Sequence, residues 1–207
     1  MTTQVKAVTF DLGGVLIDWN PRHLYRQFFG ADEAAMERFL ADVCTPEWNA
    51  QLDAGRPFAE AVDEVLLAHP DQAELITAYY HRWQEMLGPA LEGTVAILRE
   101  VRAAGYATYA LSNWSAETFE VTRRRYPFLD DMDGILISGE VGVGKPDPAI
   151  FRMFLARFGL VAGETVFIDD SDRNVATAAS LGIVAIQFKG AAQLRVDLRS
   201  LGLPLAS

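Results

Sequence analysis

The first apolar segment of the chain is short and ends at an acidic residue. Residues 5–10 (VKAVTF) alternate apolar with polar or small side chains, include several β-branched ones, and are followed by Asp11. This pattern predicts a buried strand that brings Asp11 to the carboxyl edge of a sheet. A second apolar run, residues 165–168, ends in the same way at Asp169 and Asp170. Open α/β sheets bind ligands at this edge, so we expect the carboxylates to meet in one crevice.

A segment with a different pattern follows the first strand. Residues 16–21 are predicted to be a short extended excursion closed by a turn, because Asn-Pro disfavours helix before the proline. From about residue 23 to residue 87, apolar side chains recur at helical spacing, with glycine and proline breaks such as the one at Gly88-Pro89. We interpret this segment as an all-helical insert of about four helices without a strand.

Beyond residue 89 the pattern changes to a regular alternation of strands and helices. The predicted strands are residues 107–111, 134–137, 165–168 and 183–187, and the predicted helices are residues 94–104, 116–125, 148–158, 173–181 and 191–201. Such alternation predicts an α/β fold with a doubly wound parallel sheet. The predicted division is a core of residues 1–18 and 89–207, interrupted by the helical insert at residues 19–88.

Composition limits the possible partners. The chain has 207 residues and a formal net charge of −10, which argues against nucleic acid as a partner, since phosphate backbones are held by many Lys and Arg side chains. No run of about 18 apolar residues suggests a membrane span, and the first residues lack the pattern of a secretory signal. We therefore expect a cytoplasmic protein with no membrane partner. The single cysteine, Cys44, excludes an internal disulfide and is predicted to be an inert core residue.

Polar residues stand where the predicted strands end. In chain order they are Asp11, Ser112-Asn113, Lys145 and Asp169-Asp170. Taken alone, Ser112 is more simply a helix cap and Lys145 a solvated loop residue. Three converging carboxylates would repel one another unless a cation lay between them. Together these residues indicate a metal-assisted reaction with a carboxylate nucleophile.

Four motifs in this order resemble those of the haloacid dehalogenase-like hydrolase superfamily. They are residues 10–15 (FDLGGV), 111–113 (LSN), 144–148 (GKPDP) and 167–170 (FIDD), so the resemblance covers essentially the whole chain. It implies a Rossmann-like core, with the insert acting as a helical cap in a subgroup whose first motif reads DLGGV.

The resemblance also implies roles for the residues at the strand ends. Asp11 would be the nucleophile that forms an aspartyl-phosphate. Its carboxylate would bind Mg²⁺ together with Asp169, Asp170 and the backbone carbonyl of Gly13.

The other residues of the motifs would act on the phosphoryl group itself. Ser112 and the backbone amide of Asn113 would hydrogen-bond its oxygens, and Lys145 would neutralise both Asp11 and that group. Trp114 is a candidate substrate contact because it follows these two residues, and Arg22 is a weaker candidate for binding a substrate anion. Trp48 and Trp83 are interpreted as packing residues.

The chain departs from the superfamily pattern at Gly13. Most phosphatases of the superfamily have an aspartate there, which protonates the leaving group and then activates water. Losing such a group commonly costs a rate factor of about 100 to 10,000. Asp18 is the nearest carboxylate that could replace it, although a turn-forming role is the simpler interpretation.

Three functions remain open from the sequence. The leading hypothesis is a magnesium-dependent phosphatase of a small phosphorylated metabolite. The second is a metal-independent 2-haloacid dehalogenase with Asp11 as the ester-forming nucleophile; Gly13 favours it, whereas the paired acids Asp169-Asp170 argue against it. The third is a weakly catalytic binding module. The oligomeric state, monomer or homodimer, is left open.

Overall fold

The computed structural model describes residues 4–206 and contains a parallel sheet with helices on both faces. The strands are β1 (Ala7–Phe10), β2 (Ile17–Trp19), β3 (Leu87–Ala90), β4 (Ala107–Ser112), β5 (Gly134–Ile137), β6 (Thr165–Asp169) and β7 (Val184–Gln187). Helices α1–α5 are Arg22–Phe29, Glu33–Asp42, Pro46–Asp53, Phe58–Ala68 and Ala73–His81. Helices α6–α11 are Glu92–Ala103, Ala116–Arg125, Ser138–Val141, Pro148–Phe158, Asp172–Ser180 and Ala191–Ser200. Short 3₁₀ helices span Pro70–Gln72, Trp83–Met86, Pro127–Asp131 and Ala162–Glu164.

The central sheet has the order β5-β4-β1-β6-β7, and all of its strands are parallel. Strand β1 lies between β4 and β6, and its last residue, Phe10, is in register with Ala110 and Ile168. All four residues of β1 are buried, as expected for a strand covered on both faces. The predicted α/β fold with a doubly wound, Rossmann-like sheet is confirmed.

Alternate side chains of the sheet enter two different apolar layers. Val166 and Ile168 of β6 belong to the layer that includes residues of α6 and α11. Phe167, between them, belongs to the layer that includes residues of α9 and α10. The strands and helices predicted beyond residue 89 are present with ends within two residues of those expected, and the structure adds the short helix α8.

A small antiparallel ribbon lies where the chain leaves and re-enters the core. In it β2 pairs with β3, with Ile17 opposite Ala90 and Trp19 opposite Leu87. The helical pattern ends before Gly88-Pro89, as predicted, but strand β3 runs through these residues, so the expectation of an insert without a strand is wrong at its ends. A proline is compatible with a short ribbon that has no strand on its outer side.

In chain order, helices α1–α5 come after β2 and before β3, in agreement with a helical insert. Their apolar side is built around Tyr25, whose ring centroid lies 4.8 Å from Phe39 and 6.3 Å from Tyr79. Trp48 packs edge-on against Tyr79, and its indole N–H donates to the carbonyl of Ala61, which fits its predicted packing role. Cys44 is buried there, as predicted.

The division of the chain into a core and an insert, at residues 18/19 and 88/89, stays a prediction. Within residues 4–206, none of the helices combines the length and apolar character that crossing a membrane requires.

Candidate active site

The sheet order brings three of the predicted site residues together. Because β1 lies between β4 and β6, the residues at their carboxyl ends are neighbours: Asp11 follows β1, Ser112 ends β4 and Asp169 ends β6. The backbone N–H of Asp11 donates to the carbonyl of Ile168 at 2.8 Å, which continues the sheet by one residue. The predicted meeting of the strand ends is present in the structure.

One oxygen of the Asp11 carboxylate holds all of its hydrogen bonds. Its Oδ1 accepts from Ser112 Oγ at 2.6 Å and from the backbone N–H of Leu12 at 2.7 Å, and it lies 2.9 Å from Lys145 Nζ. Within residues 4–206 no donor is hydrogen-bonded to Oδ2. The arrangement therefore orients the carboxylate and leaves Oδ2 for a cation or a reacting atom.

Lys145 is buried between two carboxylates. Besides Asp11, its Nζ contacts Asp169 Oδ2 at 2.6 Å and donates to the carbonyl of Leu111 at 2.9 Å. Burial opposes the charged form of the lysine, but the nearby Asp11 and Asp169 outweigh it and raise the pKa of Lys145. The ammonium group therefore stays charged and neutralises part of the acidic cluster.

Asn113 fixes the backbone that carries Lys145. Its side-chain Oδ1 accepts from the backbone N–H of Lys145 at 2.7 Å, and its Nδ2 donates to the carbonyl of the same residue at 2.8 Å. Both polar atoms of the side chain are therefore used within the protein. The sequence analysis predicted that the backbone N–H of Asn113, not its side chain, contacts the substrate, and this stays a prediction.

Asp169 is fully buried and held by the start of α10. Its Oδ1 accepts from the backbone N–H of Ser171 at 2.8 Å, and Asn174 Nδ2 lies 3.0 and 3.1 Å from its two oxygens. The sequence reasoning missed Asn174. Its position five residues after Asp169, in the first turn of the next helix, is the signal that could have identified it.

Three acidic side chains form a cluster suited to a divalent cation. One oxygen each of Asp11, Asp169 and Asp170 lies within 4.8 Å of the other two. Burial raises the pKa of Asp11, and the charge of Asp169 raises it further, against the opposing effects of Lys145 and Ser112. Carboxylate oxygens are the hard ligands that Mg²⁺ prefers, and a cation would relieve their mutual repulsion. The donor set therefore fits such an ion.

Gly14 is required beside this cluster for two reasons. Its φ of +74° lies in the region that favours glycine, and an added Cβ would lie 2.5 Å from Asp170 Oδ2. Gly13 differs, because an added Cβ would meet nothing nearer than Trp19 Cβ at 3.9 Å. The backbone of Gly13 thus leaves room for the first atom of a side chain.

A cavity of about 340 Å³ opens above the cluster. It is lined by Asp11, Gly13, Gly14, Trp19, Asn49, Asp53, Trp83, Ser112, Asn113, Trp114, Lys145, Asp170 and Asn174. Trp114 is 4% exposed, and its indole N–H is a buried donor without a hydrogen-bond partner among the described residues. Trp83 lies edge-on to it with ring centroids 5.7 Å apart. Trp83, interpreted as a packing residue, therefore packs and also lines the cavity.

Helix α3 of the insert contributes two polar residues that the sequence reasoning missed. Asn49 Nδ2 donates to Asp53 Oδ2 at 2.9 Å, and Asn49 Oδ1 accepts from Tyr79 Oη at 2.7 Å. Burial raises the pKa of the Asp53 carboxyl to about 7. The only sequence signal was an acid in the last turn of a helix, where the helix dipole disfavours negative charge.

The structure does not bring Arg22 or Asp18 to this cavity. Arg22 forms an ion pair with Glu37, with Nε 2.5 Å from Oε1, and lines a neighbouring cavity of about 450 Å³. Asp18 Oδ2 lies 2.9 Å from His23 Nε2 and outside the lining of the cavity above Asp11. Neither side chain is positioned to act on a group bound at Asp11.

Comparison with known proteins identifies the family. Residues 5–182 match the haloacid dehalogenase-like hydrolases. The chain belongs to this family. This haloacid dehalogenase-like hydrolase is 29% identical over 204 residues to the sesquiterpene phosphatase astK of Aspergillus oryzae, covering 97% of this chain and 98% of that protein. It is 32% identical over 160 residues to a phosphoserine phosphatase of Thermus thermophilus, covering 74% of this chain and 63% of that protein.

A solved structure of similar fold carries ligands. It is a family enzyme of Bacteroides thetaiotaomicron in complex with magnesium and inorganic phosphate. It has 25% sequence identity and a TM-score of 0.68, and the match covers 90% of this chain and 95% of that one. The relatives named as phosphatases favour phosphatase over dehalogenase chemistry for this hydrolase.

Proposed function

We propose that this hydrolase is a magnesium-dependent phosphomonoesterase of a small phosphorylated metabolite. The observation that carries the proposal is the cluster in which Asp11, Asp169 and Asp170 approach within 4.8 Å of one another while Lys145 bridges the first two. With a divalent cation bound among these carboxylates, the cation and Lys145 would neutralise charge on a phosphate ester and its transition state.

The proposed metal ligands are the carboxylates of Asp11, Asp169 and Asp170 and the backbone carbonyl of Gly13. When bound there, Mg²⁺ would supply charge neutralisation and a fixed orientation for the phosphate oxygens. The complex of the Bacteroides enzyme with magnesium and phosphate supports this assignment by similarity.

Asp11 would attack phosphorus through Oδ2, the oxygen without a hydrogen bond. Ser112 and Lys145 hold the other oxygen and so fix the direction of attack. The bond from phosphorus to the leaving oxygen breaks as an aspartyl-phosphate forms, and water then hydrolyses this intermediate. Lys145 and the backbone N–H of Asn113 would stabilise the charge on the transferring group.

The buried walls of the cavity would select the rest of the substrate. The unpartnered indole N–H of Trp114 is a donor available to a polar substrate atom. Trp19 and Trp83 supply apolar surface beside it. A small organic phosphate with both polar and apolar parts suits this lining.

One observation favours a second candidate function, a haloacid dehalogenase. Gly13 leaves the site without the acid that a phosphatase of this superfamily commonly has there. The acidic cluster opposes this candidate, because three carboxylates so close together are hard to accommodate without a cation.

Phosphate release from a panel of phosphomonoesters, with Mg²⁺ or with EDTA, tests the proposal. We expect release with Mg²⁺ only, and none from the Asp11→Asn variant. Halide release from 2-chloropropionate that is insensitive to EDTA would instead establish the dehalogenase. No turnover in either assay would favour a binding role.

A further inference from the structure

The proposed reaction needs a proton donor that Gly13 cannot supply. When phosphorus is transferred to Asp11, an alkyl leaving oxygen departs as a strong base unless it is protonated. Steric crowding does not require a glycine at position 13, because the atoms nearest to an added Cβ would be 3.9 Å away on Trp19 and 4.0 Å away on Trp114. The proton must come from another group that reaches the cavity.

Three carboxyl groups line the cavity: Asp11, Asp170 and Asp53. Asp11 and Asp170 belong to the acidic cluster that would bind the cation. Asp53 comes from helix α3 of the insert and makes no hydrogen bond to that cluster within residues 4–206. It is therefore the one lining carboxyl that is left to handle a proton.

The position of Asp53 is fixed by contacts with the core. The Ser138 hydroxyl donates to the backbone carbonyl of Asp53 and accepts from the backbone N–H of Trp114 at 2.9 Å. Gly139 allows Ser138 to come this close to the loop at Trp114, since an added Cβ at Gly139 would lie 2.4 Å from the backbone nitrogen of Ala116. The end of α3 is thus held against the loop that follows Ser112.

The surroundings of Asp53 favour its protonated form. It ends a helix without a basic residue in the last turn, and within the described chain it has no ion pair. Its pKa is raised to about 7, chiefly by burial and in smaller part by the charge of Asp11. Hydrogen bonds from Asn49 and from the backbone of Ser115, together with the charge of Lys145, oppose that rise.

We infer that Asp53 is the general acid and base of the phosphatase reaction, in place of the aspartate missing at Gly13. This inference rests on the proposed function. In the first step Asp11 bonds to phosphorus, the bond to the leaving oxygen breaks, and that oxygen takes the proton of Asp53. In the second step Asp53, now a carboxylate, takes a proton from the water that attacks phosphorus. The Asp11–phosphorus bond breaks, inorganic phosphate is released, and free Asp11 and protonated Asp53 are restored.

The test compares release of two leaving groups by the Asp53→Asn variant, with Mg²⁺ and excess enzyme. The released alcohol or p-nitrophenol is measured, so that only the first step is observed, before water attacks the intermediate. An alkyl phosphate needs the proton, whereas p-nitrophenyl phosphate releases an oxygen that is stable without it. We expect leaving-group release to slow about 100- to 10,000-fold for the alkyl phosphate and less than about threefold for p-nitrophenyl phosphate. An equal loss for both esters would indicate a merely structural role and overturn the inference.

The control variant is Asp18→Asn, which removes the other nearby carboxyl. Asp18 lies beside His23 and outside the cavity lining, so we expect both esters to react as in the wild type. If Asp18→Asn, rather than Asp53→Asn, slows only the alkyl ester, the inference is wrong. If the wild type releases no phosphate from any ester, the proposed function fails first and the inference with it.

The pH profile gives a second readout that does not depend on replacing Asp53. The groups that bear on its proton are Asp11 and Lys145 from the core, and Asn49 and Tyr79 from the insert. The first turnover of the alkyl phosphate should fall as pH rises through about 7, because the acid is lost. Asn49→Ala removes a hydrogen bond that favours the carboxylate, so the falling limb should move to higher pH. An unmoved limb would contradict the assignment, even if Asp53→Asn does not fold.

Discussion

The edge of the sheet and helix α3 hold their polar side chains in different ways. At the sheet edge, Asp11, Lys145 and Asp169 are connected by several short hydrogen bonds and ion pairs, and all three are buried. On α3, Asp53 is only partly buried, and Asn49 supplies its one side-chain hydrogen bond. The sheet edge is a crowded charged network, whereas the α3 side has a nearly isolated acid.

This difference matches two different chemical tasks. A nucleophile and metal ligands must be held in a fixed orientation, which many contacts provide. A group that gains and loses a proton in each turnover must be nearly as stable neutral as charged, and burial without an ion pair provides that. On the proposed mechanism, an acid with few polar contacts is as important to the reaction as the densely connected residues of the sheet edge.

Replacing the proposed nucleophile at the sheet edge should have the largest effect of the changes that test this comparison. We expect Asp11→Asn to lower Mg²⁺-dependent phosphate release about 10,000-fold or more, because it removes the proposed nucleophile. The measurement is phosphate release, with thermal unfolding as the check that the variant folds. Substantial residual turnover would place the nucleophile elsewhere.

Removing the ammonium group of Lys145, which lies between Asp11 and Asp169, should have the next largest effect. Lys145→Met leaves Asp11 and Asp169 buried without their partner, so we expect the free energy of unfolding in EDTA to fall by about 3–5 kcal/mol. Urea unfolding measures this loss. Lys6→Met is the matched control, since the side chain of Lys6 is 66% exposed in its pair with Glu164 and should contribute less than about 1 kcal/mol. Similar losses in both variants would contradict the assigned role of Lys145.

Moving the acid from the insert to the sheet edge should have a smaller effect. There is room for a Cβ at Gly13, so Gly13→Asp in the Asp53→Asn background should restore part of the lost activity toward an alkyl phosphate. We expect a gain of about 10- to 100-fold over Asp53→Asn alone, because general acid catalysis is regained in imperfect geometry. Gly13→Ala in the same background serves as the control and should give no gain. A gain from alanine as well would show that packing, not the proton, is responsible.

Loosening the contact between α3 and the core should have the smallest effect. Ser138→Ala leaves the backbone carbonyl of Asp53 and the backbone N–H of Trp114 without their partner. We expect the free energy of unfolding to fall by about 1–3 kcal/mol. Ser200→Ala removes an exposed hydroxyl that donates to Asp197 and should change stability by less than about 0.5 kcal/mol. Equal effects would show that the Ser138 bridge is not important.

The sheet edge was accessible from the sequence for a physical reason. Buried parallel strands have nearly continuous apolar sequences, and the first polar residue after each such run marks the edge of the sheet where ligands bind. This is how Asp11, Ser112 and Asp169 could be placed together before their contacts were known. The strand order of the sheet then made them neighbours.

The site residues of the insert were harder to predict from the sequence, because helical periodicity shows which face of a helix is apolar but not which residues that face contacts. Asp53 lies on a helix of ordinary composition, and only its contact across Ser138 brings it to the cavity. Asp18, named as a candidate replacement although a turn-forming role was the simpler interpretation, lies away from the cavity, and its contact with His23 could not be predicted from its proximity in sequence. Arg22 is likewise held away by Glu37.

Trapping the covalent intermediate tests the central claim, that the sheet edge carries the phosphoryl group while the insert carries the proton. Asp53→Asn would be mixed with Mg²⁺ and p-nitrophenyl phosphate, quenched in acid, digested and analysed by mass spectrometry. We expect one phosphoryl group per chain on the peptide that contains Asp11, accumulating because water lacks its base, and little on the wild type. An unmodified Asp11, or a phosphoryl group on another residue, would contradict the claim.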